Sequence, residues 1–185
     1  MYIYDIDYES HIYGPGKRIV IWTQGCSLHC DGCWNHALWP FTKGKMLDIP
    51  SILKAFQTDS SIKGITILGG EPLDQWSDLK LLIENVKSYH KTVILYTGYE
   101  LEEIQPLRLN WIKNHVDIFI PGRYVHALRD TGLYLRGSAN QKLYFYSNIY
   151  TEAIIKEGTY VQIELDLDGS MTLSGYPEDF LKEVS

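Results

Sequence analysis

Four short apolar runs, each cut off by a glycine-bearing turn, limit what this chain can fold into. Arg18-Ile19-Val20-Ile21-Trp22-Thr23 stops at Gly25, and Gly64-Ile65-Thr66-Ile67-Leu68 stops at Gly69-Gly70. Thr92-Val93-Ile94-Leu95-Tyr96 stops at Thr97-Gly98, and Val116-Asp117-Ile118-Phe119-Ile120 stops at Pro121-Gly122. Runs of this length, rich in Ile and Val, read as strands buried on both faces. Helical patterns lie between them. Asp48 stands in capping position before Ile49, Ile52, Leu53 and Phe56 at helical spacing. Residues 74–90 place Trp76, Leu79, Leu82, Ile83, Val86 and Tyr89 along one face, with Asp74 as the cap. A shorter helical stretch over residues 100–104 ends before Pro106. Strands that alternate with helices form βα units, so the expected fold is α/β, with a parallel sheet covered on both faces. Ligands of such sheets sit at the carboxyl ends of the strands. The four turns should therefore share one rim.

Beyond this frame, residues 2–7 alternate as a strand does, and past residue 130 the pattern changes. Residues 133–135 and 142–146 read as short strands, and residues 161–167 and 171–173 flank Asp168-Gly169 as a hairpin. Asp166 and Asp168 lack the remaining ligand positions of a calcium loop. Residues 1–185 are read as a single domain, with a core at about 15–145 and a C-terminal extension over 146–185.

The formal net charge of −6 leaves no basic surplus for phosphates, so no nucleic-acid partner is expected. No stretch approaches the roughly 18 apolar residues of a membrane span, and the acidic start MYIYDIDYES lacks the positive segment of a secretory signal. A cytoplasmic, reducing compartment is the expectation. Clustered thiols there read as ligands or redox groups rather than disulfides.

All three cysteines lie within eight residues, as Cys26-x₃-Cys30-x₂-Cys33. Three readings fit. One is a structural zinc site, completed by His36 or by His29. Another is a reactive thiol with two bystanders. The third is a [4Fe–4S] cluster held by three thiolates with its fourth iron open. One βα unit later comes Gly69-Gly70-Glu71-Pro72. Two glycines at a strand end let backbone approach a ligand closely, and a carboxylate beside them accepts hydrogen bonds from an ammonium group. Together the two motifs describe a pocket for an amino acid-like ligand beside a cluster.

Cys26-x₃-Cys30-x₂-Cys33 with Gly69-Gly70-Glu71-Pro72 resembles the radical S-adenosylmethionine (SAM) superfamily. Leu95-Tyr96-Thr97-Gly98-Tyr99, the strand 116–120 with Gly122, and Arg136-Gly137-Ser138-x-Asn140-Gln141 narrow the resemblance to small activating enzymes of anaerobic ribonucleotide reductase, which are glycyl radical enzyme activases. The resemblance implies an incomplete parallel β/α barrel of the radical SAM type, with the hairpin as a C-terminal extension. It implies one [4Fe–4S] cluster on Cys26, Cys30 and Cys33, with SAM chelated at the open iron and contacted by Gly32, Trp34, Gly69, Gly70, Glu71 and Thr97. The activity implied is reductive SAM cleavage to a 5′-deoxyadenosyl radical, which generates a glycyl radical on a partner anaerobic ribonucleotide reductase. An external one-electron donor, flavodoxin- or ferredoxin-like, would supply the electron. The alternatives are a radical SAM enzyme that modifies a small molecule or peptide, and a non-catalytic zinc or iron–sulfur binding module. Arg123 and Arg136 are read as structural or solvated rather than docking groups.

Overall fold

The computed structural model describes residues 1–155, 160–165, 169 and 171–175. The apolar runs of the sequence become four parallel strands: β2 (Arg18–Thr23), β4 (Gly64–Gly69), β5 (Thr92–Tyr96) and β6 (Ile118–Ile120). Three further strands join them: β1 (Tyr2–Ser10), β3 (Lys45–Met46) and β7 (Tyr144–Phe145). The order across the sheet is β3-β1-β2-β4-β5-β6-β7. β1 runs antiparallel to β2 and to β3, and β7 antiparallel to β6. The fold is therefore α/β, but its sheet is mixed rather than wholly parallel. Apolar pattern marks a strand without marking its direction, so β1 and β7 were expected as strands but not as antiparallel ones, and the two-residue β3 had no pattern to read.

The register places Ile19 beside Ile65 and Ile21 beside Ile67, and then Ile65 beside Val93 and Leu95 beside Phe119. These side chains are fully buried. They form one core with Ile52 and Phe56 of α1 (Ile49–Thr58), Leu79, Leu82, Ile83 and Val86 of α2 (Trp76–Ser88), and Ile112 of α3 (Pro106–His115). All three helices thus pack on one face, so of the two covered faces that were expected only one is covered by helices. The reason is topological. β2, β4, β5 and β6 follow each other across the sheet without reversal, and right-handed crossovers then return every helix to the same side. The other face is covered by chain that follows β6, where Tyr134 and Leu135 pack on Ile94, Ile118 and Ile120.

That second face also holds a charge. Arg18 is fully buried, and its guanidinium donates to Thr66 Oγ1, Thr92 Oγ1 and the carbonyls of Ile65 and Thr92. Desolvation pulls its pKa down. Tyr150, beyond the expected core, accepts from Arg18 Nη1 at 3.3 Å.

Local differences from the sequence reading have local causes. Residues 100–104 yield only a 3₁₀ turn at Leu101–Glu103, and a full helix starts at Pro106. Proline suits the first helical position, where its missing N–H costs nothing, so Pro106 opens a helix rather than closing one. Asp48 occupies the cap position of α1, but its carboxylate takes the Ser51 hydroxyl instead of a backbone N–H. Of residues 133–135, Leu133 makes only an isolated bridge and Tyr134 and Leu135 turn, with Leu135 at φ 57°, and the expected strand at 142–146 shrinks to β7. The hairpin forms as β8 (Val161–Leu165) and β9 (Met171–Gly175). Asp166 and Asp168 lie outside the described residues. Gly175 N donates to Tyr13 Oη at 3.0 Å, which joins the hairpin to the loop before β2.

Candidate functional site

The carboxyl ends of β2, β4, β5 and β6 open into one cleft of about 630 Å³. Cys26, Cys30, Cys33, Trp34, Gly69, Gly70, Glu71 and Thr97 all line it, as does Gly122. The shared rim expected from four glycine-bearing turns is present. Gly32 stands apart from the lining residues. At φ 67° it makes the turn between Cys30 and Cys33, where Cys33 N donates to Cys30 O at 3.1 Å. A Cβ there would come within 2.7 Å of His126 Cβ.

The cysteine loop is fixed at its base by backbone. Gly25 N donates to Leu38 O at 2.7 Å and Cys26 N to Trp39 O at 3.1 Å. Glu71 N donates to Gly25 O at 2.8 Å, so the Gly69-Gly70-Glu71 turn leans directly on the residue before Cys26. Only glycine permits that approach: a Cβ on Gly70 would stand 2.2 Å from Gly25 O, and Gly69 has φ 113°.

Glu71 is fully buried and answers three donors. Its Oε1 accepts from Leu73 N at 2.8 Å and Thr97 Oγ1 at 2.7 Å, and its Oε2 accepts from Gly98 N at 2.8 Å. It thereby caps the 3₁₀ turn Pro72–Gln75 and ties the end of β4 to the end of β5. Burial outweighs these hydrogen bonds and pushes its carboxyl up to about 7.

Asp74, expected to cap the following helix, instead holds the cysteine loop. Its Oδ2 accepts from Ser27 N at 2.8 Å, and its Oδ1 accepts from Ser27 Oγ at 3.0 Å and Tyr99 Oη at 2.9 Å. Ser27 and Tyr99 were missed as site-positioning residues. Their only sequence signal was adjacency, since Ser27 follows Cys26 and Tyr99 ends the Leu-Tyr-Thr-Gly-Tyr run.

The donor set discriminates among the metal readings. All three cysteines are free thiols. Among the described residues, no three His, Cys, Asp or Glu side chains are placed to hold a single metal ion. His29 and His36, the candidate fourth zinc ligands, pack on Trp39 with ring centroids 4.6 and 4.4 Å away. Zinc needs its ligands converged on one centre, whereas thiolates of a cluster bind different irons and stand apart around a cavity. Three free thiols that line one cleft fit the cluster. Desolvation raises the Cys26 and Cys30 thiols, and a bound cationic metal reverses that preference. Trp34, at the cleft edge, carries the Arg129 guanidinium over its ring at 5.3 Å.

Arg136, Gly137 and Gln141 complete the wall on the β6 side. Gln141 Oε1 accepts from Gly137 N at 2.9 Å, while its Nε2 donates to Gly122 O at 2.9 Å. Arg123 is taken up elsewhere, paired through both terminal nitrogens with Glu103.

Comparison with known proteins agrees with this site. Residues 12–144 match the 4Fe-4S single cluster domain family. The chain is 33% identical over 148 residues to the anaerobic ribonucleoside-triphosphate reductase-activating protein of Enterobacteria phage T4, covering 77% of this chain and 90% of that protein. It is 31% identical over 142 residues to the protein of that name from Escherichia coli K12, covering 70% and 89% of the two chains. The Vibrio cholerae protein of that name is 30% identical over 144 residues, covering 74% and 92%. The chain therefore belongs to the 4Fe-4S single cluster domain family and, within it, to the anaerobic ribonucleoside-triphosphate reductase-activating proteins.

Proposed function

We propose that this chain is a radical SAM enzyme that cleaves SAM reductively and sets a glycyl radical on a partner anaerobic ribonucleotide reductase. One observation carries the reading: the thiols of Cys26-x₃-Cys30-x₂-Cys33 and the Gly69-Gly70-Glu71 turn line a single cleft. It does so in a chain that aligns with nearly the whole length of named reductase-activating proteins. A [4Fe–4S] cluster held by Cys26, Cys30 and Cys33 would supply the one electron for reductive cleavage of SAM to methionine and a 5′-deoxyadenosyl radical.

The chain's own residues bind, orient and exclude. Cys26, Cys30 and Cys33 hold the cluster. The bare backbone of Gly69 and Gly70 admits the methionine ammonium at close range. Glu71 acts there chiefly through the rim it fixes, since its two oxygens already bind Thr97, Gly98 and Leu73. Trp34 offers a flat face to adenine, and Gly32 shapes the cysteine turn behind it. Tyr13, Trp22, Trp39, Tyr96 and Tyr134 give the cleft an aromatic wall that keeps water from a reactive radical.

The same reading sets the finer architecture. Four parallel strands with helices on one face and a cleft on the other form an incomplete β/α barrel whose open side admits a glycine-bearing loop of the reductase. Residues 1–185 act as one domain, with the core at about 15–145 and the extension 146–185 outside the family match. Every cysteine is spent on one cluster, so the electron comes from an external flavodoxin- or ferredoxin-like donor. Among the described residues no helix is long and apolar enough to cross a membrane, and we place the protein in the cytoplasm with neither membrane nor nucleic acid as partner. The test is anaerobic co-incubation of reconstituted protein, SAM and reductant with an anaerobic ribonucleotide reductase. A glycyl radical doublet in the reductase EPR spectrum is expected. SAM cleavage without that doublet would reduce the reading to a radical SAM enzyme with another substrate.

A further inference from the structure

Arg136 stands in the cleft wall with its charge unanswered. Among the described residues that line the cleft it is the sole Lys or Arg. Its Nη1 donates to Gln141 O at 3.3 Å, while its Nε is buried with no hydrogen-bond partner. Among the described residues it joins no ion pair. A guanidinium presents five donors in a planar fork, and that fork matches the two oxygens of a carboxylate. A buried charged donor without a partner is costly, and a ligand that supplies the partner removes the cost.

The loop around Arg136 is built to hold it in place. Leu135 takes φ 57°, a conformation that side chains other than glycine adopt rarely, and this turns the chain immediately before the arginine. Gln141 clamps Gly137 to Gly122 at the end of β6, and the buried Ser138 accepts from Val125 N at 3.2 Å. The two carboxylates that line the cleft are both engaged elsewhere. Asp5 pairs with Lys45 at 3.2 Å, and Glu71 is consumed by its three donors. Among the described residues that line the cleft, an entering anionic group therefore meets one cation.

We propose that Arg136 binds the α-carboxylate of an amino acid-shaped ligand, namely the methionine end of SAM. That carboxylate is the ligand's only anionic group, so a single free guanidinium suffices to orient it against the thiols and the Gly69-Gly70 turn. The assignment rests on the functional reading above.

Equilibrium dialysis of the anaerobically reconstituted full chain tests it, with SAM and decarboxylated SAM as the two probes. R136M should weaken SAM binding on the order of ten- to a hundredfold, as expected for a lost charge-assisted pair. The same variant should bind decarboxylated SAM as the wild type does and keep its cluster absorbance. R136K, which keeps the charge and loses the fork, should fall between. Equal SAM affinity in R136M and wild type would overturn the assignment alone, including when radical transfer to the reductase is lost. Equal weakening of both probes would overturn it too, because it would mark a distorted cleft. Wild-type protein that binds neither probe would overturn the functional reading and the assignment with it.

Discussion

On the helical face of the sheet, Ile19, Ile21, Ile65, Ile67 and Phe119 meet side chains from all three helices and are closed from water. On the opposite face the same strands carry Arg18, Trp22, Thr66 and Tyr96, and their carboxyl ends open into the cleft. The first face is apolar and interchangeable in chemistry; what matters there is volume. The second sets polar, particular groups beside the apolar patch of Ile94, Ile118 and Ile120, and those groups are fixed by hydrogen bonds from distant parts of the chain: Arg18 to Thr92, Asp74 to Ser27, Glu71 to Gly98. Alternation along a strand thus separates a stability face from a chemistry face that differ by one residue in register.

Substitutions should respect that division. The largest effect is expected from Cys30→Ala on the cleft side: with two thiolates left, the variant should fail to retain a cluster. Iron content and visible absorbance should fall to background while the far-UV circular dichroism stays that of wild type. On the helical face, Phe119→Ala should cost about 3–5 kcal/mol in denaturant unfolding. It should leave the affinity for SAM, measured where the variant remains folded, within about twofold, because Phe119 touches the core and not the cleft.

Glu71 belongs to the cleft yet reaches into stability. Its folded pKa of about 7 lies above that of an exposed glutamate, so the native state binds the extra proton and stability falls as pH rises from about 4.5 to 7. The loss should amount to roughly 2–3 kcal/mol, and it should disappear in Glu71→Gln, as urea unfolding at a series of pH values would show. Glu71→Ala, which also frees Thr97 and Gly98, should bind SAM more weakly while it keeps the cluster. A cluster lost equally in Glu71→Ala and Cys30→Ala would erase the distinction between ligand and rim. Smaller still, Tyr99→Phe should cost about 1 kcal/mol and raise amide exchange at Ser27, because it removes one of the two side chains that share Asp74 Oδ1.

Much of this division is legible in the amino-acid sequence. The four parallel strands announce themselves because their runs are short, apolar and ended by glycine, and α2 does so because its apolar positions repeat at helical spacing. The cysteine loop and the Gly69-Gly70-Glu71 turn were legible as one site because both follow strands of the same sheet. Which face carries the helices was not legible. Ile19-Val20-Ile21-Trp22 is apolar on both sides, so its pattern has no polarity to read. α3 was hidden because Ile112 is its one fully buried side chain, which leaves little periodicity behind Pro106. Asp74 was misread because a carboxylate ahead of a helix has a plausible local partner, while its actual partners stand 47 and 25 residues away. Hydrogen bonds over such distances depend on the assembled sheet and leave no spacing in the chain.

The central claim is that three thiols around the cleft hold a cluster with an iron open to SAM. Its most direct test is anaerobic reconstitution with iron and sulfide, followed by dithionite and SAM, with 5′-deoxyadenosine as the product measured. The account predicts cluster absorbance from the protein and formation of 5′-deoxyadenosine that is abolished in Cys30→Ala. One zinc per chain, no cluster absorbance and no SAM cleavage would contradict it.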